Sequence, residues 1–265
     1  MNVNPVSISL SSFGADEVRR QGQVAFVDLV AAAGAVRIEL REELLSHESL
    51  SALATAVTTR QLECLYSSPM ELWLADLSAP NPQLSATLQR AEMADARWLK
   101  VSLGHFNEGC DFPALAQLLA AQPVRLLVEN DQTAHGGQID AFVAFFGRVT
   151  EFSLPIGMTF DVGNWQWQDQ SALRAAQQLG GYVEYVHFKA VHRHASGKLN
   201  ATPPHTADLP HWRQLLGYMR PGLPRAIEYP LQGDDLLAVT RQQVSLLEGL
   251  CGETTTVQPE VPDHV

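Results

Sequence analysis

Apolar residues along this chain recur in two alternating rhythms. Short runs rich in Val, Ile, Leu and Phe have the length of strands, and longer stretches between them carry apolar residues at helical spacing. The strand-like runs cover residues 6–11, 36–40, 62–66, 98–103, 125–129, 157–161, 183–189 and 226–229. Helical patterns fill 17–33, 82–94, 112–121, 138–150, 171–179 and 234–250. Parallel neighbours need a crossover between them, and a helix supplies it, so this alternation predicts a parallel sheet. An open doubly wound sheet would satisfy the same count of eight strands, but no GxGxxG follows the first strand, where a dinucleotide fold would place it. The pattern therefore predicts one α/β domain over residues 1–250, a closed (β/α)8 TIM barrel.

Two stretches fall outside the rhythm. Residues 191–209 follow the seventh strand and carry His192, Arg193, His194, Lys198 and His205 among Gly, Pro and Thr; they read as an irregular segment of the length used for lids and binding loops. Residues 251–265 contain three consecutive Thr and two Pro without a periodic apolar face, and read as a frayed polar tail.

Composition narrows the partners. Eighteen basic against 29 acidic residues leave a net charge of −11, which repels phosphate backbones and anionic lipid and argues against nucleic acid or a membrane surface. Cys64, Cys110 and Cys251 lie far apart with no CxxC, so neither a disulfide framework nor a thiolate metal site is expected, and a reducing cytoplasm fits. No leader pattern opens the chain and no long apolar run crosses it, which predicts a soluble, unexported protein. The apolar share of the helices leaves room for a homodimer.

The chemistry is expected where polar residues close apolar strands, because barrels of this type build their sites at the C-terminal strand ends. Four closures stand out: Glu129 in LLVEN, Asp161 in MTFDVGN, His187 in YVHFK and Glu228 in AIEYP. They are separated by 32, 26 and 41 residues, about one βα unit each, so consecutive strands bring three carboxylates and an imidazole to one end of the barrel. Bare carboxylates at that proximity cannot all stay ionised, and a divalent cation resolves the conflict. Oxygen donors with one imidazole suit Mn, Mg, Co or Zn rather than a thiophilic metal.

These residues, in this order and on these strands, resemble the xylose-isomerase-like barrel family of sugar isomerases and epimerases, which includes hydroxypyruvate isomerase, tagatose 3-epimerase and several dehydratases. The resemblance covers nearly the whole chain. It implies that Glu129, Asp161, His187 and Glu228 ligate one divalent ion, with Glu129 and Glu228 also moving the proton of a small sugar, sugar acid or sugar phosphate. Glu39, in the IELR segment, and Arg193 are implied as substrate contacts, and His187 with Lys189 matches most of a His-x-Lys-Asp signature. Ala190 stands where that Asp is usual, and Asn164 stands where many members carry a substrate-binding His. His105 and Phe106 after the fourth strand, and Trp165 and Trp167 after the sixth, are candidates to face the sugar.

Other readings stay open on the same residues. A metal-dependent dehydratase of a keto acid or cyclic polyol would use the same ligands. A Schiff-base aldolase would use Lys189 or Lys100 as its amine. A noncatalytic sugar-binding barrel is the third.

Overall fold

The computed structural model describes residues 4–194 and 197–252. In chain order the elements are β1 (Val6–Ser9), α1 (Ala15–Gln21), α2 (Val24–Ala32), β2 (Arg37–Arg41), α3 (Leu50–Thr59), β3 (Glu63–Trp73), α4 (Leu84–Met93), β4 (Trp98–Gly104), α5 (Phe112–Leu119), β5 (Arg125–Glu129) and α6 (Ile139–Glu151). They continue with β6 (Ile156–Asp161), α7 (Ala172–Leu179), β7 (Val183–Phe188), β8 (Ala190–Arg193), β9 (Leu199–Thr202), α8 (Leu209–Leu216), β10 (Arg225–Ile227) and α9 (Leu236–Glu248). Eight strands close on themselves in the order β1-β10-β7-β6-β5-β4-β3-β2, every pairing parallel, as the alternating pattern predicts. Among the described residues no helix is long and apolar enough to cross a membrane.

Strands β5 and β6 are buried almost end to end, since helices cover one face and the barrel interior takes the other. The helices begin where the sequence offers a cap. Ser49, Asp111, Ser171 and Asp235 each accept the backbone N–H three residues on, satisfying one of the donors that a helix start leaves orphaned. Inside the barrel, side chains of alternate residues form layers, with Leu65, Trp98, Leu127, Tyr185 and Ala226 packing together as one of them.

The structure corrects several expected boundaries. The helix expected over 17–33 is two helices, broken at Gly22, whose φ of +84° suits a residue without a side chain. Helices α3 and α8 have no counterpart among the expected ones; α3 mixes three Ala and three Thr into its apolar spacing, and α8 carries Pro210 in its first turn, at the end of the stretch that reads as loop. Strand β3 does not stop at Tyr66: it runs through Ser67, Ser68 and Pro69 to Trp73, with its pairing register shifting between Ser67 and Glu71. The stretch 191–209 is not wholly irregular either, because β8 and β9 pair antiparallel across it, Ala190 opposite Thr202 and Arg193 opposite Leu199. Of the tail expected over 251–265, all but the first two residues lie outside the described ones.

Candidate metal centre

The pleat of the strands delivers the four expected donors to one end of the barrel. Glu129 closes β5, Asp161 closes β6 opposite His187 of β7, and Glu228 follows β10 by one residue. One donor atom from each of Glu129, Asp161, His187 and Glu228 lies within 4.8 Å of all the others. His187 Nδ1 is the hub: it stands 2.6 Å from Glu129 Oε1, 3.2 Å from Glu228 Oε2 and 3.9 Å from Asp161 Oδ2. Glu129, Asp161 and His187 are buried, and only Glu228 retains appreciable side-chain exposure, 11%.

Each donor is aimed by a neighbour. The far nitrogen of His187, Nε2, is 2.7 Å from Glu39 Oε2, which anchors the ring on that side and leaves Nδ1 to face the cluster. Asp161 Oδ1 accepts the backbone N–H groups of Gly163 and Asn164, both at 2.9 Å, which turns Oδ2 toward His187. Asn130 clamps the Asp161 backbone from β5, donating to its carbonyl at 3.0 Å and accepting its N–H at 2.9 Å. Asn164 donates in turn to the Asn130 carbonyl at 2.8 Å and accepts from Gln132 at 3.1 Å. At the position where the resemblance leads one to expect His, this chain thus has an amide that ties two strand ends together.

Three cations stand among the acids. Lys189 Nζ lies 2.7 Å from Asp161 Oδ2 and 2.9 Å from Glu228 Oε2; Lys100 pairs with Glu129; Arg41 Nη1 bonds Glu228 Oε1 at 2.8 Å and Glu39 Oε1 at 3.2 Å. Burial would raise the pKa of Glu129, but Lys100 and His187 hold it down to about 2, and Lys189, His187 and Arg41 likewise hold Glu228 well below the carboxylate range. Asp161 goes the other way: burial pushes it up to about 7, with Lys189 only partly opposing. Burial also works against charge on His187, yet Glu39, Glu228 and Glu129 around it raise its pKa well above the usual value.

The donor set fits a divalent cation. Glu129 Oε1, Asp161 Oδ2 and His187 Nδ1 are buried with no hydrogen-bond partner outside the cluster: Oε1 and Nδ1 face each other at 2.6 Å, and Lys189 approaches Asp161 Oδ2 in charge but not in hydrogen-bond geometry. Four acids (Glu39, Glu129, Asp161, Glu228) face three cations, and the unbonded atoms face one another. A proton on His187 partly relieves that repulsion, which is why its pKa is raised; a hard cation bound to the same lone pairs relieves it more completely.

The remaining expected contacts scatter. Arg193 is exposed on β8 and donates across its own hairpin to the Gly197 carbonyl at 2.7 Å, so it is not brought to the cluster. Trp165, expected to offer a ring to the sugar, is instead fully buried, its ring 5.8 Å from Phe142 and 5.7 Å from Phe160. Phe106 packs edge-on to Phe112 and Phe145, while Trp167 is half-buried. His105 stacks on His135 with ring centres 3.6 Å apart. Arg41 and Asn130 were missed as cluster residues, although both sit in the quoted IELR and LLVEN segments.

No family model matches the chain, and no curated protein does. Solved structures do match in fold. A D-psicose 3-epimerase from Clostridium cellulolyticum H10, solved with D-tagatose, is 12% identical over 94% of this chain and 100% of its own, with a TM-score of 0.67. The IolI protein with a bound zinc atom is 11% identical over 92% of this chain and 97% of its own, at 0.66. The probable 3-DHS dehydratase AsbF from Bacillus anthracis is 13% identical over 92% and 98%, at 0.64. The chain shares the xylose-isomerase-like TIM barrel, as its sequence resemblance implies.

Proposed function

We propose that this protein is a divalent-metal-dependent isomerase or epimerase of a small sugar, sugar acid or sugar phosphate. The observation that carries the reading is the convergence of Glu129, Asp161, His187 and Glu228, with three of their donor atoms buried and facing one another without a hydrogen-bond partner outside the cluster. A divalent ion held by these four would polarise the carbonyl of an α-hydroxycarbonyl substrate and acidify the adjacent C–H.

Glu129 and Glu228 then divide the proton transfer. Both are held ionised at neutral pH by the cations beside them, so either can accept a proton at a carboxylate oxygen, and the other returns one. Return to the same carbon from the opposite face epimerises; return to the neighbouring carbon isomerises. Glu39 keeps the His187 ring in register, and the Lys189 ammonium, anchored between Asp161 and Glu228, is placed to meet a substrate hydroxyl or carboxylate. Burial of the cluster excludes bulk water, so a proton taken from carbon is kept for return.

The aldolase alternative loses support. Burial alone would lower the pKa of Lys189 and Lys100, but the carboxylates around them outweigh it and raise both, and a protonated amine is not a nucleophile. The dehydratase alternative keeps its support from the barrel shared with the Bacillus anthracis protein, because the same proton abstraction followed by loss of a β-hydroxyl is dehydration. Incubation of the Mn2+-loaded protein in deuterated water with a panel of ketohexoses, 2-keto sugar acids and their phosphates separates the two. Nuclear magnetic resonance is expected to show a deuterated epimer or isomer of one panel member. Formation of an unsaturated product assigns a dehydratase, and absence of any C–H exchange across the panel overturns the catalytic reading.

A further inference from the structure

We propose a second divalent-cation site at the mouth of the barrel, held by Glu71, His105 and His135 and independent of the four-residue centre. The three residues come from separate elements: Glu71 from the end of β3, His105 from the residue after β4, and His135 from the loop after β5. One donor atom from each lies within 4.8 Å of the other two, and all three are half-buried. His135 Nε2 is 2.7 Å from Glu71 Oε1, and the two imidazole rings stack at 3.6 Å. Among the described residues no group bonds the ring nitrogens of His105, so its lone pair is available.

The surrounding backbone is shaped to make this meeting. The register shift in β3 between Ser67 and Glu71 re-aims the end of that strand, and Asn81 fixes it by donating to the Glu71 carbonyl at 2.8 Å. Gly104 takes φ +70° and lies so close to β3 that a Cβ there would stand 2.7 Å from the Glu71 Cβ; the next N–H, of His105, bonds the Trp73 carbonyl at 2.8 Å. On the third side, Asp131 accepts from Thr133 N–H at 2.7 Å and Thr133 Oγ1 from Gly136 N–H at 2.9 Å, so His135 sits in a closed turn rather than a free loop.

Two imidazoles and one carboxylate are the donors of choice for Zn2+, Co2+ or Ni2+, with positions left over for water or an anionic oxygen. The rings stack within 18° of parallel, so one ion lies in the plane of both only after one ring turns about its Cβ–Cγ bond, a motion open to half-buried side chains. The hairpin cluster of His192, His205 and Asp208 is the weaker candidate. Asp208 Oδ2 already accepts the His205 backbone N–H at 2.7 Å, and His205 and Asp208 are three positions apart in one turn, so their proximity follows from local chain geometry.

The test is Zn2+ stoichiometry. Chelator-stripped full-length protein is titrated with Zn2+ by calorimetry, with metal content checked after gel filtration. Wild type is expected to bind two equivalents, His105→Gln/His135→Gln one, and Asp161→Asn to keep the mouth equivalent while its other one weakens by more than about 10-fold. Glu71→Gln gives the same loss at the mouth if the double variant does not fold by circular dichroism. A single equivalent in wild type that vanishes with Asp161→Asn, a second equivalent that survives removal of both histidines, or one lost with His192→Gln instead, each overturns the proposal. Loss confined to the centre in Asp161→Asn does not bear on the mouth site, so failure of the proposed function and failure of this inference are read separately.

Discussion

The two ends of the barrel use the same kinds of charged residue to opposite effect. At the N-terminal end, Glu63 takes both Arg37 and Arg97, the latter at 2.7 Å, and Arg125 clasps Glu184 through two nitrogens, Nε at 2.5 Å. The guanidiniums of Arg37 and Arg97 lie 4.7 Å and 4.9 Å over the Trp98 ring, whose face accommodates positive charge. Acids there are outnumbered by cations and each carboxylate is paired. At the C-terminal end the acids outnumber the cations, and buried acceptors face one another without donors. Charge that closes on itself makes a plug; charge left open in a dry pocket makes a site that asks for a ligand.

Mutations at the two ends sharpen that contrast. The largest effect is expected from Glu129→Gln, which removes a proton-transfer group and a cation donor together: turnover of whichever sugar the panel identifies should fall by roughly 10³-fold or more, measured as kcat. Next comes Glu39→Gln. It leaves all four donors in place but loosens the His187 tautomer, so cation affinity should weaken by about 10–100-fold in a Mn2+ titration, and an unchanged affinity would remove Glu39 from the account. Lys189→Met removes from beside Asp161 Oδ2 and Glu228 Oε2 a positive charge that competes with an incoming cation. Cation affinity should then rise, on the order of tenfold, while KM for the sugar also rises. The smallest effect belongs to the plug: Arg125→Ala, whose pair with Glu184 is partly exposed, should cost at most about 1 kcal/mol in urea unfolding and leave cation binding unchanged.

Much of the deep centre is legible in the amino-acid order, because its donors stand where a short apolar run gives way to a polar residue. Glu129 and Asp161 close their strands as read, and His187 lies one residue from the end of its own. The mouth cluster is not legible for equally concrete reasons. Glu71 lies beyond Tyr66, where the apolar run reads as ending, on a continuation of β3 that passes Pro69 where the pairing register shifts, and His135 sits in a turn with no periodicity at all. Arg41 illustrates a third limit: its partner Glu228 is 187 residues away, and only closure of the barrel joins them. The β8–β9 hairpin escapes notice because its strands are four residues each, too short for a pattern to stand out, and carry His, Arg and Asn. Trp165 shows the converse error, an aromatic beside the site that proves to be core.

The central claim is that a cation seats among Glu129, Asp161, His187 and Glu228, and a crystal grown with Co2+ addresses it most directly through anomalous scattering. The account predicts an anomalous peak bonded at roughly 2.0–2.2 Å by Glu129 Oε1, Asp161 Oδ2, His187 Nδ1 and Glu228 Oε2. A peak bound elsewhere only, with the Lys189 ammonium still bridging Asp161 and Glu228 at saturating Co2+, would contradict it.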